Sequence, residues 1–340
     1  MKAFALFSGG LDSILAVELI RRQKIEVIPI CFKTPFFGCE NAVSSAKDMN
    51  YNLHIFDISE QYMEILLHPK YGYGKNMNPC IDCHGLMFRI ACEKMKEYNV
   101  DFMISGEVLG ERPKSQRKMG LDAVAKLSQC KDLIIRPLSQ KLLRDTKPIA
   151  EGWINKDRLL DIQGRTRARQ IQLAKEWNIK NYPTPAGGCV LTNQVFSQRL
   201  RDLIEYNMLS IRNIEYLKMG RQFRLTHNTK LIIGRNEQEN AKLLNYINDS
   251  AERKSKDEVQ QSANYEFLIR AAYLPSPIGV IISKDKDISQ DMINLAGGII
   301  LAYIRKAQDK DKIMLLEPGQ EKIIFDVKRL ILDEVNKFQL

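Results

Sequence analysis

Two sets of residues in this chain have the types and the spacing to do chemistry. The first is Ser8-Gly9-Gly10-Leu11-Asp12-Ser13, close to the amino terminus. Two glycines let a backbone approach an anion closely, and the hydroxyls of Ser8 and Ser13 add donors. If a helix starts here, its first N–H groups point into the turn and make a phosphate cradle. A helix end favours an anion by about 0.3–1 kcal/mol, so several such donors must act together. The second set is Cys80-x-x-Cys83, followed at long range by Cys189. Thiolates of this kind serve as nucleophiles or as ligands for a soft metal.

The elements around these residues follow from local pattern. Lys2 to Phe7 is short, apolar and aromatic, which predicts a buried strand, and Ile14, Leu15, Val17, Leu19 and Ile20 recur at helical spacing. The glycine turn therefore joins a strand to a helix. Ile25–Phe32 and Leu53–Ile58 read as further strands, with a helix over Asn41–Asn50 between them. Asp101–Ile104 is a fourth strand running into Ser105-Gly106, and Leu133–Leu138 a fifth. Such alternation predicts an α/β fold built on a doubly wound parallel sheet. Ligands of these sheets lie at the carboxyl ends of the strands, which puts Phe32 and Lys33, at the end of the second strand, on the ligand side.

A loop from His68 to Pro79 stops at Asn78-Pro79, so Cys80 opens a helix, where thiolates are stabilised. Arg165 to Trp177 reads as a helix, and the following turn, Tyr182 to Cys189, holds two prolines and two glycines that put Cys189 on a rigid loop. Val195–Tyr206 is helical, residues 223–233 form a hairpin, and 236–248 a helix. The polar stretch Asp249–Ser262 is a linker, and the remainder is a smaller α/β module of short strands with helices at about 288–306 and 326–338, punctuated by Gly279 and Pro318-Gly319. The implied division is 1–180 for the nucleotide domain, 181–250 for a connecting, RNA-contacting region and 263–340 for the small module.

The chain has 340 residues, 44% of them hydrophobic, enough for a sizeable core. Its net charge is +10, and residues 110–180 carry 17 Lys/Arg against 8 Asp/Glu, nearly the whole excess. A basic block suggests a polyanion, because released counterions drive binding to nucleic acid. Arg112, Lys114, Arg117, Lys118, Arg165, Arg167, Arg169, Arg199 and Arg201 are the candidate phosphate contacts, as a group rather than singly. No apolar run reaches the roughly 18 residues of a membrane span, and the start is too short for a signal peptide, so the expected location is the cytoplasm. Seven cysteines there favour metal or catalytic roles over a disulfide framework. Cys31, Cys92 and Cys130 read as isolated buried thiols, while Cys39 is unassigned.

For the remaining three cysteines several uses compete. Haem attachment through C-x-x-C-H requires export, and structural zinc wants four ligands where only Cys189 and His84 could complete the set. Three thiolates could instead hold an iron–sulfur cluster with one open iron, or one cysteine could carry a persulfide that another releases.

The full S-G-G-x-D-S after a strand resembles the pyrophosphate loop of the N-type ATP pyrophosphatases, or PP-loop enzymes. Over about residues 1–205 the chain is similar to the tRNA thiolation enzymes, especially the 2-thiouridylases: Asn78-Pro79-…-Cys83 matches their N-P-[DN]-x-x-C segment, with Cys189 as the second active cysteine. The extra Cys80 departs from that pattern and is similar to the cluster-dependent thiolases. The resemblance implies ATP held by Ser8, Gly9, Gly10, Asp12, Ser13, Phe32, Lys33, Ser105 and Gly106, with Mg²⁺ on the phosphates and Asp12 a candidate ligand. It implies a [4Fe-4S] cluster on Cys80, Cys83 and Cys189, which with Asp12 form the catalytic set. It also implies tRNA as substrate, a sulfide or carrier-protein sulfur donor, no membrane partner, and room for a homodimer. Two rivals stay open. One is a PP-loop enzyme passing sulfur or nitrogen to a small acceptor; the other is a non-catalytic RNA-binding protein with a vestigial ATP site.

Overall fold

The computed structural model describes residues 1–184, 188–254, 264–316 and 323–340. Its described residues divide into two compact units, Met1–Asn193 and Gln194–Leu340.

In the first unit the chain runs β1 (Lys2–Leu6), α1 (Leu11–Arg21), β2 (Glu26–Lys33), α2 (Glu40–Asp48), β3 (His54–Asp57), α3 (Ser59–Leu67), α4 (Cys80–Lys94), β4 (Phe102–Ser105), α5 (Lys118–Leu127), β5 (Ile134–Ile135), α6 (Lys147–Ala150) and α7 (Ala168–Glu176). The five strands are parallel in the order β3-β2-β1-β4-β5. This is the doubly wound sheet that the alternating pattern predicts. The chain fills one side of β1 first and then returns to fill the other. The point of reversal lies between β1 and β4, whose ends Leu6 and Ser105 are register partners. There the loops after two adjacent strands diverge and leave room for a ligand. As the central strand, β1 has Ala3, Phe4 and Ala5 buried, and the small alanines leave space for Ile14, Leu15 and Val17 of α1. Each such aliphatic burial is worth roughly 1.5–3 kcal/mol, so the loop after β1 springs from a well-packed part of the unit.

The second unit adds α8 (Gln194–Glu205), α9 (Ile211–Leu217), β6 (Arg221–Arg224), β7 (Thr229–Ile233), α10 (Glu237–Lys254), β8 (Tyr265–Ala271), β9 (Gly279–Ser283), α11 (Gln290–Ala302), β10 (Lys310–Leu316), β11 (Ile323–Lys328) and α12 (Leu332–Asn336). Its six strands form one antiparallel sheet, ordered β11-β10-β8-β9-β7-β6. The hairpin expected in a connecting region, β6–β7, is thus edge and neighbour of the sheet to which β8 and β9 belong. Three details differ from the sequence reading. The helix expected over 326–338 is a strand, Ile323–Lys328, followed by the short α12, because residues 323–328 pair with β10. Asp249–Lys254, expected in a linker, continues α10, since charged Glu, Arg and Lys are good helix formers even without an apolar stripe. The fifth strand shrinks to Ile134–Ile135, ahead of Pro137. The rest of the expected linker, Pro318-Gly319 and Pro185–Gly187 lie outside the described residues.

Gly9 has φ +77°, and a Cβ there would stand 2.3 Å from the carbonyl oxygen of Asn41 at the start of α2. Gly10 is extended and has only the Ser8 hydroxyl within reach, at 3.5 Å. Gly9→Ala is therefore expected to destabilise the protein by about 1–3 kcal/mol. Gly10→Ala should cost about 1 kcal/mol or less, through the helix cap alone. Denaturant unfolding of the two variants beside the wild type measures the contrast.

Candidate active site

The glycine turn is held from three sides. The Ser45 hydroxyl of α2 donates to the Gly9 carbonyl at 2.8 Å, the Ser13 hydroxyl donates to Gly10 at 2.8 Å, and the Gly10 N–H reaches the exposed Ser8 hydroxyl at 3.4 Å. Ser13, read as a phosphate donor, is buried and closes the first turn of α1. Gly10 caps α1 without a side chain, and the first intrahelical bond is Ile14 N–H to Gly10 O at 3.1 Å. The N–H groups ahead of it have no partner within the helix, which suits an anion.

Asp12, in the first turn, does not face open solvent. Its Oδ2 pairs with Arg167 Nη2 at 3.2 Å, and both side chains are largely buried. Burial pushes the Asp12 carboxyl up, against the pull of Arg167 and Arg112. Glu111 is also pushed up, by burial and by the Asp12 charge. Asp12, Glu111, Arg112 and Arg167 thus form one charged group beside the loop. Arg167 precedes α7 instead of lying inside the expected helix, because that helix starts only at Ala168.

A second link joins this loop to the cysteines. Gly106, just after β4, packs so closely on α1 that a Cβ would come within 2.5 Å of the Asp12 carbonyl carbon. Its neighbour Glu107 is buried and carries three partners. These are Arg136 Nε at 2.9 Å on Oε2, His84 Nδ1 at 2.7 Å on Oε1, and the Ser105 hydroxyl at 3.2 Å on Oε2. A carboxylate only accepts, so His84 carries its proton on Nδ1. Burial would raise the Glu107 carboxyl, yet Arg136 and His84 outweigh it and hold it at about 2. His84 lies at the end of the first turn of α4, directly after Cys83.

Cys80 and Cys83 lie in that same turn, and Asn78 Nδ2 donates to Cys80 Sγ at 3.1 Å. The loop ahead of α4 is pinned by Asp82, whose carboxylate accepts from the N–H groups of Lys70 and Tyr71 at 2.9 and 3.1 Å. The same loop reaches the third cysteine's segment: Asn76 Nδ2 donates to Thr192 O at 2.7 Å. Cys189 caps the helical turn Val190–Thr192. Burial pushes the Cys83 thiol up, and Cys189 and Cys80 add to the effect against the Tyr62 hydroxyl, which donates to Cys83. Burial likewise pushes up Cys189, with Cys80 adding to it. Tyr62 of α3, packed on Phe36 and Phe37, feels all three thiols. Cys80, Cys83 and Cys189 thus all lie within electrostatic reach of Tyr62. Their donor chemistry suits an iron–sulfur cluster, but among the described residues no three His, Cys, Asp or Glu side chains stand as a ready metal cage.

The other four cysteines pair off, Cys31 with Cys39 and Cys92 with Cys130, at Cα separations of 6.1 and 6.2 Å. This corrects the expectation of isolated thiols. The turn after β2 folds Cys39 back onto Cys31, and the packing of α4 on α5 brings Cys130 to Cys92. The three cysteines left unpaired are Cys80, Cys83 and Cys189.

Phe32 is buried against Phe56, so only its backbone is available to an adenine, and Lys33 pairs with Asp57 at 3.2 Å. Ser105 is buried on Glu107. Of the candidate phosphate contacts, Arg167 is engaged by Asp12, Lys114 donates to the carbonyls of Gly72 and Tyr73, and Arg199 donates to Leu217 O at 3.2 Å. Arg112, Arg117, Lys118, Arg165, Arg169 and Arg201 are exposed. Sequence reasoning missed Glu107, Arg136, Tyr62 and Glu111. The one signal available was the polar Ser105-Gly106-Glu107 at the end of a buried strand.

Residues 1–142 match the profile of the thiamine biosynthesis protein (ThiI) family, and residues 220–339 that of the NFACT protein RNA binding domain. The first unit resembles the PP-loop tRNA-thiolation enzymes. The tRNA-specific 2-thiouridylase MnmA of Pelobacter propionicus is 24% identical over 177 residues, 48% of this chain and 50% of that protein. MnmA of Karelsulcia muelleri is 24% identical over 172 residues, 46% of this chain and 45% of that one. The chain thus spans about half the length of the curated relatives it matches. Among solved structures, the U34-tRNA thiolase NcsA of Methanococcus maripaludis with its [4Fe-4S] cluster is 17% identical, over 63% of this chain and 70% of that one. Its TM-score of 0.31 is too low to carry an argument. No described helix is long and apolar enough to cross a membrane.

The Glu107 geometry gives a signed pH prediction. Its folded pKa, about 2, lies below the ordinary 4.5, so its contribution is full above 4.5 and is lost as pH falls toward 2. Glu107→Gln leaves Arg136 buried and unpaired and is expected to cost roughly 3–5 kcal/mol near neutral pH. The stability gap between wild type and variant, measured by urea unfolding, should narrow steadily below about pH 4.5.

Proposed function

We propose that this chain is an ATP-dependent tRNA sulfurtransferase. The observation that carries the reading is the link between the two halves of the site: Gly106 abuts the anion-binding turn, and Glu107 beside it holds the helix end that bears Cys80 and Cys83. The family matches support both parts, a ThiI-type amino-terminal segment and an NFACT-type RNA-binding segment that would hold the tRNA.

In this reading ATP lies with its phosphates on Ser8–Ser13, its Mg²⁺ close to Asp12. A carbonyl oxygen of a tRNA pyrimidine attacks the α-phosphorus, and pyrophosphate leaves with the electron pair of the broken P–O bond. The adenylated oxygen is then a leaving group. A sulfur nucleophile adds at that carbon, and AMP departs with the carbon–oxygen electron pair. The base must leave its stack to be reached, at a cost of a few kcal/mol that contacts to the rest of the tRNA must offset. Arg167 and Arg112 keep positive charge beside the phosphates. Glu107 and Arg136 fix the start of α4 through His84, while Tyr62 and the Asn76–Thr192 bond hold the three thiols to one place. These thiols handle the sulfur. A cluster bound to Cys80, Cys83 and Cys189 would supply an open iron for sulfide, which is the finer form of this proposal. The cytoplasm is its expected setting.

The test is nucleoside mass spectrometry of bulk tRNA after incubation with anaerobically purified protein, ATP, Mg²⁺ and sulfide. A thiolated pyrimidine is expected, with AMP and pyrophosphate released in step. Alanine at Cys80, Cys83 or Cys189 should abolish it, whereas Cys92→Ala should retain it. Pyrophosphate release that persists without any thionucleoside would point to a small acceptor and sink the tRNA reading. Iron and acid-labile sulfide in the active protein test the cluster; a fully active, iron-free protein would rule it out.

A further inference from the structure

The second unit contains a cavity of about 590 Å³ that the thiolation chemistry does not use. Its walls come from four places in the fold: the first residue of β6, the turn from β7 into α10, the turn between β8 and β9, and the segment after α11. Three features of the lining select a ligand. Arg305 and Lys306 are exposed and make no ion pair among the described residues, so they present unneutralised charge. Arg235, by contrast, is held by Glu239, with Nε 3.0 Å from both carboxylate oxygens. The Arg221 guanidinium lies 4.6 Å from the centre of the Tyr303 ring, and Leu274 adds apolar surface. Free cations beside an aromatic–guanidinium pair match a ligand with an anionic group and a flat ring. The volume falls in the range, about 300–1,000 Å³, of pockets that enclose small ligands.

We infer that this pocket takes one unstacked nucleotide of an RNA, its phosphate on Arg305 and Lys306 and its base against the Arg221–Tyr303 pair. Only a base outside a duplex exposes its face for such stacking, so the segment recognised is single-stranded: a loop, a bulge or an end. The inference rests on the reading of this chain as an enzyme of RNA and gives its RNA-binding segment a defined site. It also relocates the phosphate contacts. The cations read from the sequence fall between Arg112 and Arg201, whereas Arg221, Arg305 and Lys306 all lie beyond them.

The experiment is equilibrium binding of bulk tRNA to the full chain by fluorescence anisotropy, across a range of salt concentrations. The double variant Arg305→Ala/Lys306→Ala changes only exposed side chains. It should weaken binding and lower the slope of log K against log salt by about 0.7, since the one phosphate that is no longer neutralised removes about that much for a single strand. Tyr303→Leu should weaken binding about tenfold with the slope unchanged, the signature of weakened stacking. Thermal unfolding of each variant, unchanged for the double variant, shows that the fold is intact. Wild-type affinity and slope in both variants would overturn the pocket while leaving thiolation untouched. Loss of binding in the variants, with no thionucleoside ever formed by the wild type, would uphold the pocket and overturn the proposed reaction.

Discussion

The buried carboxylate of Glu107 is the constraint on which the site depends. An ionised group at that depth is tolerable only because Arg136, His84 and Ser105 all turn to it, from the end of β5, the start of α4 and the end of β4. Each partner is thereby fixed relative to the sheet. Removing Glu107 or Arg136 leaves an uncompensated buried charge, which is costly. The position of the cluster makes this constraint useful. Gly106 on one side touches the first turn of α1, and His84 on the other shares a helical turn with Cys80 and Cys83. One polar knot therefore links the first turn of α1 to the start of α4.

The thiols themselves are held by weaker means. Cys83 is buried and accepts from Tyr62, Cys80 accepts from Asn78, and Cys189 arrives on a segment tied to the α4 loop through Asn76. Burial and mutual repulsion push Cys83 and Cys189 toward the protonated state. Thiols so placed would not act as strong free nucleophiles on their own. Such thiols lose the proton readily only when a cation or a metal takes its place.

The parts of the site that sequence made legible are local ones. Ser8–Ser13 and Cys80–Cys83 each lie on one turn whose conformation is dictated by neighbouring glycine, proline and apolar residues, so their helix-start positions could be read directly. The doubly wound order follows from strand and helix alternation in the same way. What could not be read depends on tertiary approach. Nothing near Cys31 announces Cys39 as its partner, since the pairing needs the turn after β2 to fold back, and Cys92 meets Cys130 only because α4 packs on α5. Arg167 looks like one cation among many until the fold sets it on Asp12. Residues 323–328 are a strand only because β10 offers an edge, a fact invisible in their own composition.

Charge shows the same limit in a form that bears on function. A run of basic residues measures how many cations a segment carries, not how many are available to a polyanion. Within the first unit the basic block gives up Arg136 to Glu107, Arg167 to Asp12 and Lys114 to backbone carbonyls, and each supports the site instead of facing outward. In the second unit far fewer cations line one cavity, yet Arg305 and Lys306 lack acidic partners among the described residues and Arg221 is paired with an aromatic ring rather than a carboxylate. Counterion release counts only charges that meet phosphate. The count of basic residues in a segment is therefore a poor measure of the charge it can offer to a polyanion.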